Sequence, residues 1–186
     1  MGAGILPATL IHNKVYLLFG KENKFEVSAP GFADFGGGTE KGETYFKTAV
    51  REGSEELTGF LGDEKQISRL LHKHGYKTFD IKTKGHSKYK TFIFPIEYDE
   101  GLTKYYNNNQ KFLQYKLDDS IIKNTRIFEK AEIKWFALDE LCKSKEEFRY
   151  FYTELLDKFI ENKEDINKFI KKSLKNKYHK TYQSKN

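Results

Sequence analysis

The sequence predicts an α/β domain in which helices pack on a mixed β-sheet, and three observations predict it. Strand-like stretches open the chain, one amphipathic helix follows them, and further strand-like stretches lead into a helical C-terminal region. Elements in that order call for a sheet with helices laid against it. A chain of 186 residues suffices for one ordinary domain with a real core and is short for two.

Each element has its own signal. "ILPATLIH" and "VYLLFGK" are rich in aliphatic and aromatic residues and are separated by His12, Asn13 and Lys14, which reads as strand, turn, strand. From about Glu43 to Leu57, the residues Phe46, Ala49, Val50, Gly53 and Leu57 recur at helical spacing and give one apolar face. "YKTFDIKTK" and "KYKTFIFPIEY" flank a turn at Gly85 to Ser87 and predict a second hairpin. The polar and aromatic "YYNNNQK" around Asn107 reads as a loop or insertion. "AEIKWFAL" alternates Ala131, Ile133 and Trp135 with Glu132 and Lys134, the period of a half-buried strand. A second helical region runs from about Lys145 to Leu174, with an interruption near Asn162. Its stripe of Phe148, Phe151, Tyr152, Leu155, Leu156, Phe159, Ile166, Phe169 and Ile170 reads as core rather than as a stacking platform.

Charge divides the chain. The net charge is +6, and residues 171–186, "KKSLKNKYHKTYQSKN", carry six lysines and no acid. Residues 1–170 therefore balance to zero and form the expected single domain, with 171–186 a basic, flexible tail. Tyr178 and Tyr182 among those lysines suit stacking on RNA bases, and an unstructured solubilising tail is the plainer reading. Cys142 is the only cysteine, which excludes an intrachain disulfide and a cysteine metal site; it is expected to pack as a small apolar group. The start, "MGAGILPATLIH", lacks a basic leader region, Pro7 breaks its apolar run, and Leu6 stands where myristoylation wants Ser or Thr. No apolar run has the length of a membrane span. The expected location is cytoplasmic and reducing. His72, His74, His86 and His179 have no ligand-set spacing and read as surface or loop residues.

The stretch "GGGTEKGETYFKTAVREGSEELTGF" carries the chemistry. Glu52, Glu55 and Glu56 share one helical face and repel one another, with Arg51 the one compensating charge nearby. Left alone, at least one should have a raised pKa. A hard divalent cation would remove that repulsion, since Mg2+ prefers carboxylate oxygens. Glu43 opens the helix, where the dipole favours a negative charge. An acidic cluster by itself is a solvated surface, but this one follows "FGGGTEKGE", a glycine-rich loop whose backbone can come close to a phosphate. The loop lacks the Gly-Lys-Ser/Thr ending of a nucleotide P-loop.

Gly37, Glu43, Arg51-Glu52, Glu55-Glu56 and Gly59-Phe60 fall at spacings that resemble the signature of the Nudix hydrolases, and "FEKAEIKWFALDEL" is similar to a late strand and helix of that family. The resemblance implies an α/β/α sandwich and metal-dependent hydrolysis of a pyrophosphate bond in a nucleoside diphosphate linked to another group. It implies that Glu52, Glu55, Glu56 and the Gly36 carbonyl hold Mg2+ or Mn2+, that Arg51 holds the loop through Glu43, and that Gly37 and Gly38 lie on the substrate. Glu52 is the first candidate for the proton-taking carboxylate. Asp99, Glu100, Glu129 and Glu132 compete for a second, later position, of which Glu129 is favoured. Two departures from the family pattern are Gly53, where an aliphatic residue is usual, and two residues rather than one between Glu56 and Gly59. Gly53 is expected to face the sheet at close range while Glu52 and Glu56 face the cleft. The extra residue should alter how the helix ends. Capped mRNA suits the basic tail as substrate; small nucleotides (NTPs, dinucleoside polyphosphates, ADP-ribose, nucleotide sugars) and diphosphoinositol polyphosphates are the alternatives. A catalytically silent RNA-binding module is a further one.

Overall fold

The computed structural model of the protein describes residues 1–25, 30–82, 88–125 and 128–183. Strands β1 (Gly2–Ile11) and β2 (Lys14–Glu22) form the expected first hairpin. Its turn is His12 and Asn13, with φ of 49° and 65°. That pair of left-handed residues lets a two-residue turn follow the twist of the strands.

Among the described residues, β1 is the axis of a mixed seven-stranded sheet. Two further short strands, β3 (Phe32–Ala33) and β4 (Phe35–Gly38), and a second hairpin, β5 (Lys77–Lys82) and β6 (Lys88–Pro95), precede β7 (Lys130–Ala137). One edge of β1 runs parallel to β6 from Gly2 to Ala8. The other edge is divided: Gly2–Ile5 pair with β4, and Ala8–Ile11 pair with β2. β2 carries β7 and β3, so the chain from Phe32 to Gly38 crosses from β2 to β1 and the sheet splits there.

Helices cover both faces. α1 (Tyr45–Glu56), α2 (Glu64–His74) and α3 (Glu100–Lys116) enclose one core with Ile5, Leu18, Phe35, Phe94 and Ile133. After the short α4 (Asp119–Asn124), helices α5 (Thr153–Glu161) and α6 (Lys163–Gln183) enclose the other with Leu6, Leu17, Phe19 and Phe136. The expected α/β/α sandwich with a C-terminal helical extension is the observed architecture. Gly53 packs as expected, since a Cβ there would run into the Ile5 side chain. The break at Asn162 is the C-cap of α5, and Phe148, Tyr152, Leu155, Leu156, Phe159, Ile166 and Ile170 are buried. α6 keeps helical backbone through Gln183, into the segment set apart as a tail, and Leu174 within it is buried. Among the described residues, no helix is long and apolar enough to cross a membrane.

Several expectations are corrected. "YYNNNQK" is not a loop but the middle of α3, because Tyr106 and Gln110 are buried against the sheet and Asn107 bonds β7. A helix not expected, α2, begins at a reciprocal cap between Asp63 and Gln66. His72 lies on it against Phe46. α1 starts at Tyr45 with Thr44 as its cap, so Glu43 stands before the helix rather than in it. β7 is covered on both faces, with Ile133 in one core and Phe136 in the other. Cys142 is exposed, because Leu138 and Leu141 are the side chains its turn buries. Beyond α1, where the extra residue lies, Leu57 caps the helix and Thr58 takes a left-handed φ of 47°. The Gly85 to Ser87 turn, with His86, lies outside the described residues.

Candidate active site

Glycine-rich β4 lies against the second half of α1, with Arg51 on Gly38, Glu52 on Gly37 and Glu56 on Gly36. The Thr44 side chain caps the helix by accepting from the Lys47 N–H. Glu43 organises the loop: one carboxylate oxygen accepts from the Glu40 N–H at 3.0 Å and the Thr48 hydroxyl at 2.9 Å. Arg51 joins the pieces. Its Nε lies 2.9 Å from Glu43, its Nη2 donates to the Gly38 carbonyl at 3.1 Å, and its Nη1 meets Glu52 at 2.9 Å and Glu55 at 3.3 Å. The hydrogen bond from Arg51 holds the Glu43 carboxyl down at about 2.

The three box carboxylates have different surroundings. Glu52 presses on β4, where a Cβ on Gly37 would stand 2.6 Å from its carboxylate, so only glycine permits that approach. Burial raises the Glu52 pKa, Arg51 opposes it, and the like charges of Glu55 and Glu129 add to the rise. Glu55 is 57% exposed at its side chain. Glu56 does not face a cleft. It is 3% exposed, with one oxygen accepting from the Gly36 N–H at 2.8 Å and the other 3.0 Å from Lys130 Nζ.

A cavity of about 350 Å3 opens beside this cluster, and Gly37, Gly38, Glu52 and Glu129 line it together with Glu22 and Lys123. The structure thus brings the favoured second carboxylate, Glu129, to the same cavity as Glu52. Asp99 caps α3 and Glu100 starts it, and neither lines the cavity; nor does Glu132, which pairs with Lys21. Among the described residues, no three Asp, Glu, His or Cys side chains already converge as an ion's ligands. The donors nonetheless suit a hard divalent cation: Glu52 and Glu129 offer carboxylate oxygens to one cavity, and Glu52 is crowded by like charge that such an ion would relieve.

No protein-family model matches the chain, and no curated protein matches it. Solved structures do. A Caenorhabditis elegans Ap4A hydrolase superposes with a TM-score of 0.52 at 14% identity, over 89% of this chain and 96% of that one. Its binary complex gives the same TM-score at 13% identity, over 89% and 97%. A mutT/nudix family protein from Listeria innocua follows at 0.49 and 14% identity, over 90% and 93%. The chain has the Nudix fold.

The residues read from the signature run from Gly37 in β4, through the loop that holds Glu43, to Arg51, Glu52, Glu55 and Glu56 in the second half of α1. Sequence reasoning missed Lys130 and Glu22. Lys130 is 1% exposed and lies 2.5 Å from Glu22, which also pairs with Arg149. Burial alone would lower the Lys130 pKa, but the facing Glu56 and Glu22 carboxylates outweigh it and hold the amine charged above the usual lysine range. In sequence, Lys130 looks like one more outward residue of an alternating strand. Only its position next to Glu129 and the start of β7 hinted at anything else.

Proposed function

We propose that this protein is a Mg2+- or Mn2+-dependent pyrophosphohydrolase acting on a nucleoside diphosphate linked to another group. The observation that carries the reading is Glu52 pressed on the Gly37 backbone, inside an Arg51-centred carboxylate cluster and in one cavity with Glu129. Bound there, a divalent cation would neutralise pyrophosphate oxygens and lower the pKa of a coordinated water. Of the ligands expected from the signature, Glu52 and Glu55 would supply oxygens for it together with Glu129, and the Gly36 carbonyl lies on β4, whose Gly36 N–H is bonded to Glu56. Gly37 and Gly38 offer the close backbone approach that a phosphate needs, and Lys123 offers charge at the cavity wall. Arg51 positions Glu52 and Glu43 and so fixes the loop. Glu129 or Glu52 takes the proton from the attacking water, and burial raises the Glu52 pKa in the direction that task needs.

Two observations bear on the substrate. The fold likeness to an Ap4A hydrolase supports a dinucleoside polyphosphate. The +6 of residues 171–186, on α6 and beyond, supports a longer polyanion such as capped mRNA. A panel of Ap4A, ADP-ribose, NTPs, capped RNA and diphosphoinositol phosphates, assayed with and without Mg2+ and Mn2+, decides among them. Hydrolysis should need the metal and fall at least ~1000-fold in Glu52→Gln with the fold retained. Full activity in that variant, or hydrolysis indifferent to metal, would overturn the reading; binding of RNA with no turnover of any member would establish the silent-module alternative.

A further inference from the structure

We propose that Lys130 is a resident cation of this site, which takes the Glu56 carboxylate out of the metal-ligand set and leaves Glu52, Glu55 and Glu129 to hold the divalent ion. The inference rests on the metal-dependent reading above and adds which signature carboxylate the metal does not use. Each oxygen of Glu56 already accepts a hydrogen bond, one from Lys130 Nζ at 3.0 Å and one from the Gly36 N–H at 2.8 Å, and the charge of the carboxylate is met by the ammonium. The ammonium also bonds Glu22 at 2.5 Å, and the lysine side chain is 1% exposed between carboxylates that are 6% and 3% exposed.

The fold makes room for this arrangement. A Cβ on Gly20 would stand 2.9 Å from Lys130 Cγ, so the lysine stem passes where only glycine leaves space. The Tyr106 hydroxyl donates to the Glu56 carbonyl at 2.7 Å and fixes the helix end from beneath. Charge then separates the two halves of the cluster. Glu22 and Glu56 are matched by Lys130 and Arg149. Adding a divalent ion there would leave buried, uncompensated positive charge, which is costly. Glu43, Glu52 and Glu55 share the single guanidinium of Arg51. A divalent ion balances that side, where Glu129 adds further negative potential on Glu52.

Mn2+ itself is the probe, titrated by electron paramagnetic resonance into wild type, Glu52→Gln, Glu56→Gln and Lys130→Met. Glu52→Gln should weaken Mn2+ binding by at least ~10-fold, as loss of a ligand does, whereas Glu56→Gln should change it by less than ~3-fold. Glutamine can still accept from the Gly36 N–H, so this variant is expected to fold. Lys130→Met leaves Glu56 without its cation and Glu22 with Arg149 alone, so it should bind one more Mn2+ per chain than wild type and gain more thermal stability from the ion. Equal weakening in Glu56→Gln and Glu52→Gln would overturn the inference and leave the metal-dependent reading intact. So would a Lys130→Met protein that folds and binds the wild-type number of ions. Wild type that binds no Mn2+ would overturn both.

Discussion

Asp34 sits where the chain leaves β3 and enters β4, 1% exposed, and accepts hydrogen bonds from the Tyr89 hydroxyl at 2.7 Å and the Thr91 hydroxyl at 2.6 Å. Burial pushes its carboxyl from 3.8 up to about 6, against the pull of Thr91, Tyr89 and Lys130. A folded-state pKa above the unfolded one means that the folded protein holds the extra proton. Stability from this group therefore falls as pH rises from about 3.8 to about 6 and is level beyond, a change of about 3 kcal/mol. In urea denaturation, Asp34→Asn should gain that amount relative to wild type between about pH 3.5 and pH 7. A constant difference across that range would show an ordinary aspartate. Residues differ in how visible such roles are in sequence. Gly53 was legible because helical spacing alone puts it on the apolar face. Asp34 and Lys130 were not, because each is defined by partners 55 or more residues away in the chain, Tyr89 and Thr91 for one, Glu22 and Glu56 for the other.

α3 shows the same limit for an element. Three successive asparagines read as a loop, since asparagine side chains compete with the helical backbone. Asn107 instead spends its amide on β7, donating to the Ile133 carbonyl at 3.0 Å and accepting from the Ile133 N–H at 2.7 Å. The side chain thereby does for β7 what a neighbouring strand would do. Asn107→Ala should cost about 2–3 kcal/mol, since it strands both a backbone donor and an acceptor beside a helix that excludes water. Chemical denaturation measures it; a loss under about 0.5 kcal/mol would mean that water replaces the amide without penalty. α1 was legible almost to its ends, because one apolar face, its acidic face and the glycine loop before it are all local patterns. α2 was legible in principle through Asp63 and Gln66, a short signal that a polar surrounding stretch obscured.

For the whole molecule, the order of elements predicted a sheet with helices, while the split of that sheet between β4 and β2 follows from long-range pairing that no local pattern encodes. Ile166 and Ile170 are fully buried in the core formed with β1 and β2, which predicts that the C-terminal helices unfold together with the sheet. Ile170→Ala should therefore lower global stability by about 2–4 kcal/mol in one transition shared by fluorescence and circular dichroism. A separate early transition would mark α6 as an appendage. β1, finally, imposes a timetable. It precedes the strands it pairs with in chain order, meeting β2 at once, β4 only after Gly38, and β6 only after Pro95. Its edge toward β6 must wait for residues more than 80 positions further along the chain, and contacts of such long sequence separation form slowly. Nascent chains halted before Pro95 should accordingly expose that edge and be the ones that chaperones hold.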